Sequence, residues 1–372
     1  MKITFMCPHL DLAGGVRVIA IYADRLKKMG HDVLVVSRPK PKPTIKKQFR
    51  SLKAGKGLII RKKEPSHFDN VMVDHKMIGE HRAYQESDFP DADVIIATWW
   101  KTAEEISGFS RCKGAKVYFI QLHETFKGQP IDRVKKTYTS PLHKITISKP
   151  LVDLMREEYG DFDVSVVPNS VDRSQFCAPK RSKQAVPTIG FLYTPTFHKG
   201  CDIVFKAIEM TSRDVHNIKL VAFGKAKPSL TLPLPAGTAY SYQPDQSKIK
   251  DIYAQCDVWL CGSRREGFHL PPLEAMACRT PVVSTAVGGP IDTIEDGSNG
   301  YLVPVEDHKI LSKRLTHVLT MDNSEWESMS EAAYNTSVKY TWDDAAKRFE
   351  LALEKAIEKE AANLSESNCP SI

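Results

Sequence analysis

No stretch of this 372-residue chain comes near the ~18 uninterrupted apolar residues that a membrane-crossing helix needs, so no spanning helix is expected. The opening MKITFMCPHLDL is broken by Pro8, His9 and Asp11 and makes a poor secretory signal. None of the eight cysteines, at 7, 112, 177, 201, 256, 261, 278 and 369, forms a C-x-x-C pair. Most sit in apolar surroundings, which points to reduced core thiols of a cytosolic protein rather than disulfides or zinc ligands. The G-x-G-x-x-G fingerprint is missing, which counts against a nicotinamide dehydrogenase. Charge of one sign is also scarce: 52 Lys and Arg face 45 Asp and Glu, a surplus of +7. Eleven basic residues and no acidic one fall within residues 38–63, and the rest of the chain is left at −4. That balance excludes a generally basic nucleic-acid coat. A chain of this size buries about three quarters of its unfolded surface and needs no covalent staple.

What the chain has is alternation. Short β-branched runs at 3–7, 33–37, 94–98, 116–121, 144–147 and 164–168 read as buried parallel strands. Helical patterns at 16–29, 101–108 and 150–158 lie between several of them. Residues 174–187, with Pro179 and Pro187 and no periodicity, read as a linker. The alternation then restarts, with strands at 188–193, 218–223, 239–242, 258–261 and 282–284. Helices are expected at 201–210, 246–255 and 272–278, and a further segment at 310–319. The fold class is therefore α/β, with two Rossmann-like doubly wound halves facing a central cleft. The halves are 1–173 and 188–340. A capping box of Thr341 with Asp344 opens a last helix, 342–363, expected to complete the first half.

Two segments carry chemistry. Gly14-Gly15 follows the first strand and opens a helix, where backbone amides can approach an anion; Arg17 adds charge. The second segment runs from Ser263 to Cys278. Glu266 lies on a loop after a strand, and Pro271 and Pro272 start a helix with Glu274 expected in its first turn. Carboxylates accept well from sugar hydroxyls, and amides at Gly267 and Phe268 suit a phosphate. Asp91-Ala-Asp93 has metal-motif spacing but immediately precedes a strand, and reads as a strand-start turn.

Glu266 to Glu274 resembles the E-x7-E signature of retaining glycosyltransferases of family 4, which have the GT-B fold. Leu273-Glu-Ala-Met-Ala, Pro281-Val-Val, Gly288-Gly289 and Asp296-Gly-Ser-Asn-Gly-Tyr-Leu-Val are similar to that family in order and spacing. So are Gly14-Gly15, Gly30-His31-Asp32-Val33 and Val167-Pro-Asn-Ser-Val-Asp172. The resemblance implies a hexosyltransferase using a nucleotide-sugar donor, a UDP- or GDP-sugar above all, with no cofactor and no metal. Glu274 would hold the donor ribose, and Glu266 the hydroxyls of the transferred sugar. Gly267, Phe268, His269 and Leu270 would line the sugar and phosphates. Lys199 would neutralise the diphosphate, His123 would lie beside the transferred sugar, and Gly15 would meet the diphosphate. Tyr242 and Gln243 lie where the base is held. His123, Glu266 and Lys199 are thus the catalytic candidates. The arginine that the family carries after the glycine of the second half's first strand is absent: Gly190 is followed by Phe191. Arg17, His198, Arg264 or Arg265 would supply that charge. A nucleotide-sugar 2-epimerase and a catalytically silent sugar-nucleotide-binding subunit are the alternatives.

The acceptor implied is a glycan or a lipid-linked saccharide, as in polysaccharide biosynthesis, and no nucleic acid is expected as partner. Residues 38–63 suit an anionic acceptor or an anionic membrane surface, which would make a cytoplasmic protein peripheral on the inner membrane face. His31 reads as a structural group at a helix–strand join. Trp99, Trp100 and His9 stand open between acceptor contact and packing.

Overall fold

The computed structural model describes residues 1–55, 57–59, 65–69 and 71–367. In chain order the first elements are β1 (Lys2–Cys7), α1 (Gly14–Lys28), β2 (Asp32–Ser37), α2 (Ile45–Lys53), β3 (Asp74–Met77), β4 (Val94–Ala97), α3 (Trp100–Ile106), β5 (Ala115–Ile120), α4 (Ile131–Tyr138), β6 (His143–Thr146), α5 (Lys149–Tyr159) and β7 (Ser165–Val166). They continue with β8 (Thr188–Leu192), α6 (Cys201–Asp214), β9 (Lys219–Gly224), β10 (Ala239–Tyr242), α7 (Ile249–Ala254), β11 (Val258–Cys261), α8 (Leu270–Ala277), β12 (Val282–Thr285), α9 (Gly289–Thr293), β13 (Gly300–Val303), α10 (His308–Thr320), α11 (Asn323–Val338) and α12 (Trp342–Ser367).

The apolar runs form strands buried on both faces, the mark of parallel sheets covered by helices. One sheet has seven strands in the order β3-β2-β1-β4-β5-β6-β7, the other six in the order β10-β9-β8-β11-β12-β13. Both orders run outward from a first strand and then reverse, the doubly wound Rossmann pattern. The α/β expectation is met twice over. The reversal falls between β1 and β4 in one sheet and between β8 and β11 in the other, and ligands bind such sheets beyond the carboxyl ends of those strands.

Two compact units contain these sheets: one of residues 1–146, 155–165 and those from 346 onward, the other of 147–154 and 166–345. This corrects the expected boundary at 173 and the linker at 174–187. Residues 166–187 are built into the second unit by contacts distant in sequence. Phe176 is buried, Lys183 donates to the carbonyls of Leu319 (2.8 Å) and Met321 (2.6 Å), and the Arg181 guanidinium lies 4.5 Å from the Trp326 ring centre.

In the first unit, α12 supplies core. The Phe349 ring stands 4.5 Å from Tyr22 and 5.1 Å from Phe119 between centroids, and such pairs contribute about 0.5–1.5 kcal/mol each beyond burial. His31 bridges the chain's amino group (3.1 Å) and Glu350 (2.7 Å), a structural contact. The capping box is present, Thr341 and Asp344 exchanging bonds at 2.9 and 3.1 Å. Asp93 accepts from the Lys2 amide and Asp91 pairs with Lys113, so both carboxylates serve the start of β4.

The expected set of buried cysteines needs correction: Cys7, Cys201, Cys256, Cys261 and Cys278 are buried thiols, but Cys112 and Cys177 are exposed. Cys369 lies outside the described residues, as do Lys56, Arg61, Lys62 and Lys63 of the basic segment. Arg38 leaves that segment for another reason. Its side chain is 2% exposed, donates to Glu105 (3.0 Å) and the Arg82 carbonyl (2.9 Å), and lies over the Tyr84 ring. Among the described residues no helix is long and apolar enough to cross a membrane.

Candidate functional site

The second unit's switch point brings two loops together. One leaves β8 and ends in Lys199-Gly200; the other leaves β11 through Gly262 to His269. The His198 carbonyl accepts from the Arg264 amide at 2.8 Å. Closest approach is at two glycines. Gly200 has φ +61°, and a Cβ built there would stand 1.8 Å from the Gly262 carbonyl oxygen. Only glycine gives both the left-handed backbone and the missing atom.

That crossing sets Lys199 against Glu266. Lys199 Nζ donates to Oε1 at 2.9 Å and Oε2 at 2.8 Å, and Ser263 Oγ adds a bond to Oε1 at 2.8 Å. The Glu266 side chain is 7% exposed and that of Lys199 29%. Burial works to raise the carboxyl's pKa, but His269, Lys199 and Ser263 outweigh it and hold the group below the usual carboxylate range. Thr285 fixes the loop by donating to the Ser263 carbonyl (2.6 Å), and Ser148 by donating to that of Gly267 (2.8 Å).

His269 precedes α8 with φ +74°, a conformation uncommon outside glycine. Its Nδ1 is 3.2 Å from Glu266 Oε1 without hydrogen-bond geometry, and neither ring nitrogen has a hydrogen-bond partner among the described residues. Burial pushes its pKa down to about 4, so the ring is neutral at pH 7. Gly288 and Gly289 close the loop from behind, the Gly289 amide donating to the Phe268 carbonyl at 2.7 Å. No backbone carbonyl among the described residues accepts from the amides of Gly267, Phe268 or His269. These donors immediately precede α8, which Leu270 opens and whose next two residues are prolines without N–H.

Glu274 is corrected from the first turn of α8 to its second, because the helix starts at Leu270 rather than Pro272. It is buried and accepts from Tyr253 Oη at 2.8 Å. Tyr242 and Gln243 lie at the end of the edge strand β10, two strands from β8, with Gln243 at φ +47°. Tyr242 is 45% exposed, with Lys227 Nζ 5.8 Å from its ring centre.

The candidates for the missing arginine part company. Arg264 is bound by Asp202 (2.7 and 2.8 Å), Glu306 and the Phe197 carbonyl (2.7 Å). His198 is half-buried, and burial together with Lys199 lowers its pKa, which removes it as a cation at neutral pH. Arg265 is exposed beside it. Arg17 belongs to the first unit, in the first turn of α1. At the departing position itself, Phe191 is fully buried in the core and packs on Phe205.

In the first unit, Gly15 carries its carbonyl 3.2 Å from Gln121 Nε2, which ties α1 to the loop after β5. His123 follows on that loop, its Nε2 2.8 Å from Tyr159 Oη, with Thr125 Oγ1 also within reach. Next to it stands Glu124, which accepts from the Trp100 amide (3.0 Å); burial, opposed by that bond, pushes its pKa up to about 7. Trp100 is buried and Trp99 half-buried. His9 pairs with Asp11 at 3.4 Å.

Sequence reasoning missed Ser263, Tyr253, Thr285 and Glu124. Ser263, three residues before Glu266, was within reach of local spacing. Tyr253 lies 21 residues before Glu274, and no periodicity links them.

Residues 173–336 match the family model described as "Glycosyl transferases group 1". D-inositol 3-phosphate glycosyltransferase of Xylanimonas cellulosilytica is 30% identical over 220 residues, 52% of this chain and 52% of that protein. The chain spans no more than about half the length of such curated relatives. Among solved structures, sucrose-phosphate synthase of Thermosynechococcus elongatus matches 96% of this chain and all of its own, at 16% identity and TM-score 0.69. Anabaena HepE in complex with UDP and glucose matches 98% of this chain and all of its own, at 16% identity and TM-score 0.66. The fold is that of the GT-B proteins, and its second unit carries the group 1 glycosyl transferase sequence pattern.

Proposed function

We propose that this protein is a retaining glycosyltransferase that moves a hexose from a nucleoside-diphosphate sugar to a glycan or lipid-linked saccharide, without a metal. The observation that carries the reading is Lys199 held against buried Glu266 at the β8–β11 switch point, beside the unpaired amides of Gly267 to His269. The match over 173–336 supports it independently.

Breaking the bond between sugar and diphosphate builds negative charge on the leaving oxygens. A cation and fixed amides stabilise that charge in place, because they need no reorganisation as it forms. Lys199 is the cation this loop supplies; donor phosphates replace Glu266 as its partner, and Glu266 turns to the sugar hydroxyls. Glu274, oriented by Tyr253, takes the ribose hydroxyls. The resemblance gives His123 its role toward the transferred sugar, and the buried Phe191 leaves Lys199 without the arginine found in the family it resembles.

A thermal-shift screen with UDP-, GDP-, ADP- and dTDP-sugars tests the reading, because a ligand at 100 times its Kd stabilises by about 2.7 kcal/mol. A stabilising donor should then be consumed by the wild-type protein in chelator, with product of unchanged anomeric configuration. Stabilisation by none of these sugars overturns the reading. Phe191 favours one second reading, a subunit that binds the donor without transferring it: stabilisation with no hydrolysis or transfer would establish that instead.

A further inference from the structure

Helix α2 has no buried residue. Ile45 is 76% exposed, Phe49 67% and Leu52 48%. Spaced i, i+4 and i+7, they form a single apolar stripe on the helix. Lys46, Lys47, Arg50 and Lys53 occupy the next sector, and no acidic residue lies within the helix. The remaining sector is already used. Gln48 exchanges bonds with the Ile59 amide (2.9 Å) and carbonyl (3.2 Å), and Ser51 donates to the Gly57 carbonyl at 2.8 Å. Among the described residues, the chain therefore covers the polar flank of α2 and leaves the apolar and cationic faces exposed, with Leu58 beside them at 62% exposure. Thr44 caps the helix by accepting from the Lys47 amide, and Pro39, Pro41 and Pro43 precede it.

An exposed apolar stripe costs free energy in water, and four uniform cations repel one another. Neither belongs on a merely solvated helix, where signs are mixed. Both costs are removed at once where hydrocarbon lies beneath a layer of negative headgroups. A polyanion such as RNA answers the four cations and leaves Ile45, Phe49 and Leu52 in water. At nine residues the helix is far too short to span a bilayer, so it lies in the interface plane. Arg38, paired with Glu105, is not part of this face, and Lys40 is held 3.5 Å from Asp11.

We infer that α2 is an interfacial anchor that docks the first unit on an anionic lipid surface, with Phe49 as its central inserted side chain. This goes beyond glycosyl transfer and stands whether or not that reading holds.

The test uses the full chain with vesicles of phosphatidylglycerol or of phosphatidylcholine, read by co-sedimentation. The wild type should bind the phosphatidylglycerol vesicles and not the phosphatidylcholine ones, and high salt should release it. Changing Lys46, Lys47, Arg50 and Lys53 together to Gln should weaken binding on the order of a hundredfold or more, since each cation near such a surface is worth roughly a factor of five. Phe49→Ser with Leu52→Ser should also abolish sedimentation, though every charge remains. Circular dichroism should be unchanged in both variants, because α2 buries nothing. In Phe49→Trp, phosphatidylglycerol vesicles should shift the emission of the added indole to the blue. Equal binding to the two lipids, full binding by the Gln variant, or binding to RNA but not to vesicles would overturn the anchor. Retained binding by the Ser variant would reduce α2 to an electrostatic patch and equally overturn it.

Discussion

Replacing Lys199 by Met keeps most of the stem and removes the charge facing Glu266. In the wild type that carboxyl is held below its usual range. A depressed folded pKa stabilises the protein above the unfolded value, near 4.3, and the contribution fades as pH falls through the folded one. In Lys199→Met, only His269, which is neutral at pH 7, and Ser263 remain to oppose burial, and the folded pKa moves above the unfolded value. The sign then reverses: the variant is penalised at neutral pH and recovers as the carboxyl takes up a proton. Removing one partner of a buried ion pair costs about 3–5 kcal/mol. Because the Lys199 side chain is 29% exposed, water screens part of this and about 2–3 kcal/mol is expected. Urea unfolding at a series of pH values should show the gap between wild type and variant widest near neutrality, closing as pH falls through the depressed pKa of the wild-type carboxyl. Adding Glu266→Gln to Lys199→Met should restore most of the loss, since the cost lies in the orphaned charge. A gap that does not change with pH, or a double variant as unstable as the single one, would refute the account of the pair.

Three further outcomes follow from contacts described above. Gly200→Ala should destabilise by about 2–5 kcal/mol, combining left-handed strain with overpacking against Gly262; Gly237→Ala, at φ +76° with nothing within 4 Å, should lose only the strain, and equal losses in thermal melts would disprove the loop crossing. Tyr253→Phe should cost about 1–3 kcal/mol by leaving buried Glu274 short of a donor, and should raise the donor KM more than it lowers kcat. Arg38→Met should cost about 3–5 kcal/mol at neutral pH through the uncompensated Glu105, and less in acid, where that carboxyl is protonated.

The sheets were legible because apolar strands buried on both faces carry their own signal. Strand β3, Asp-His-Lys-Met with all four residues exposed, carries none and was missed. So was α2, whose apolar residues sit among prolines and cations and stay exposed. Of the candidate site, the E-x7-E spacing and Lys199-Gly200 pointed to two loops that the fold brings together, because backbone demands there are local. The partners were not readable: Arg38 looked like surface charge because Glu105 is 67 residues away, and Arg264 looked available because Asp202 precedes it by 62. Residues 174–187 looked like a linker because Lys183 finds its acceptors only at Leu319 and Met321.

Helix α12 carries a consequence for synthesis. Phe349, Leu353 and Ala356 are buried, and the Phe349 ring lies on Tyr22 and Phe119, encoded more than two hundred codons earlier. Until the ribosome releases that helix, the first unit's core is missing a wall, although nearly all of its strands have already emerged. The later-made unit holds its strands and core within one nearly continuous stretch and can close first. The part of the protein made first therefore waits longest for the last piece of its core.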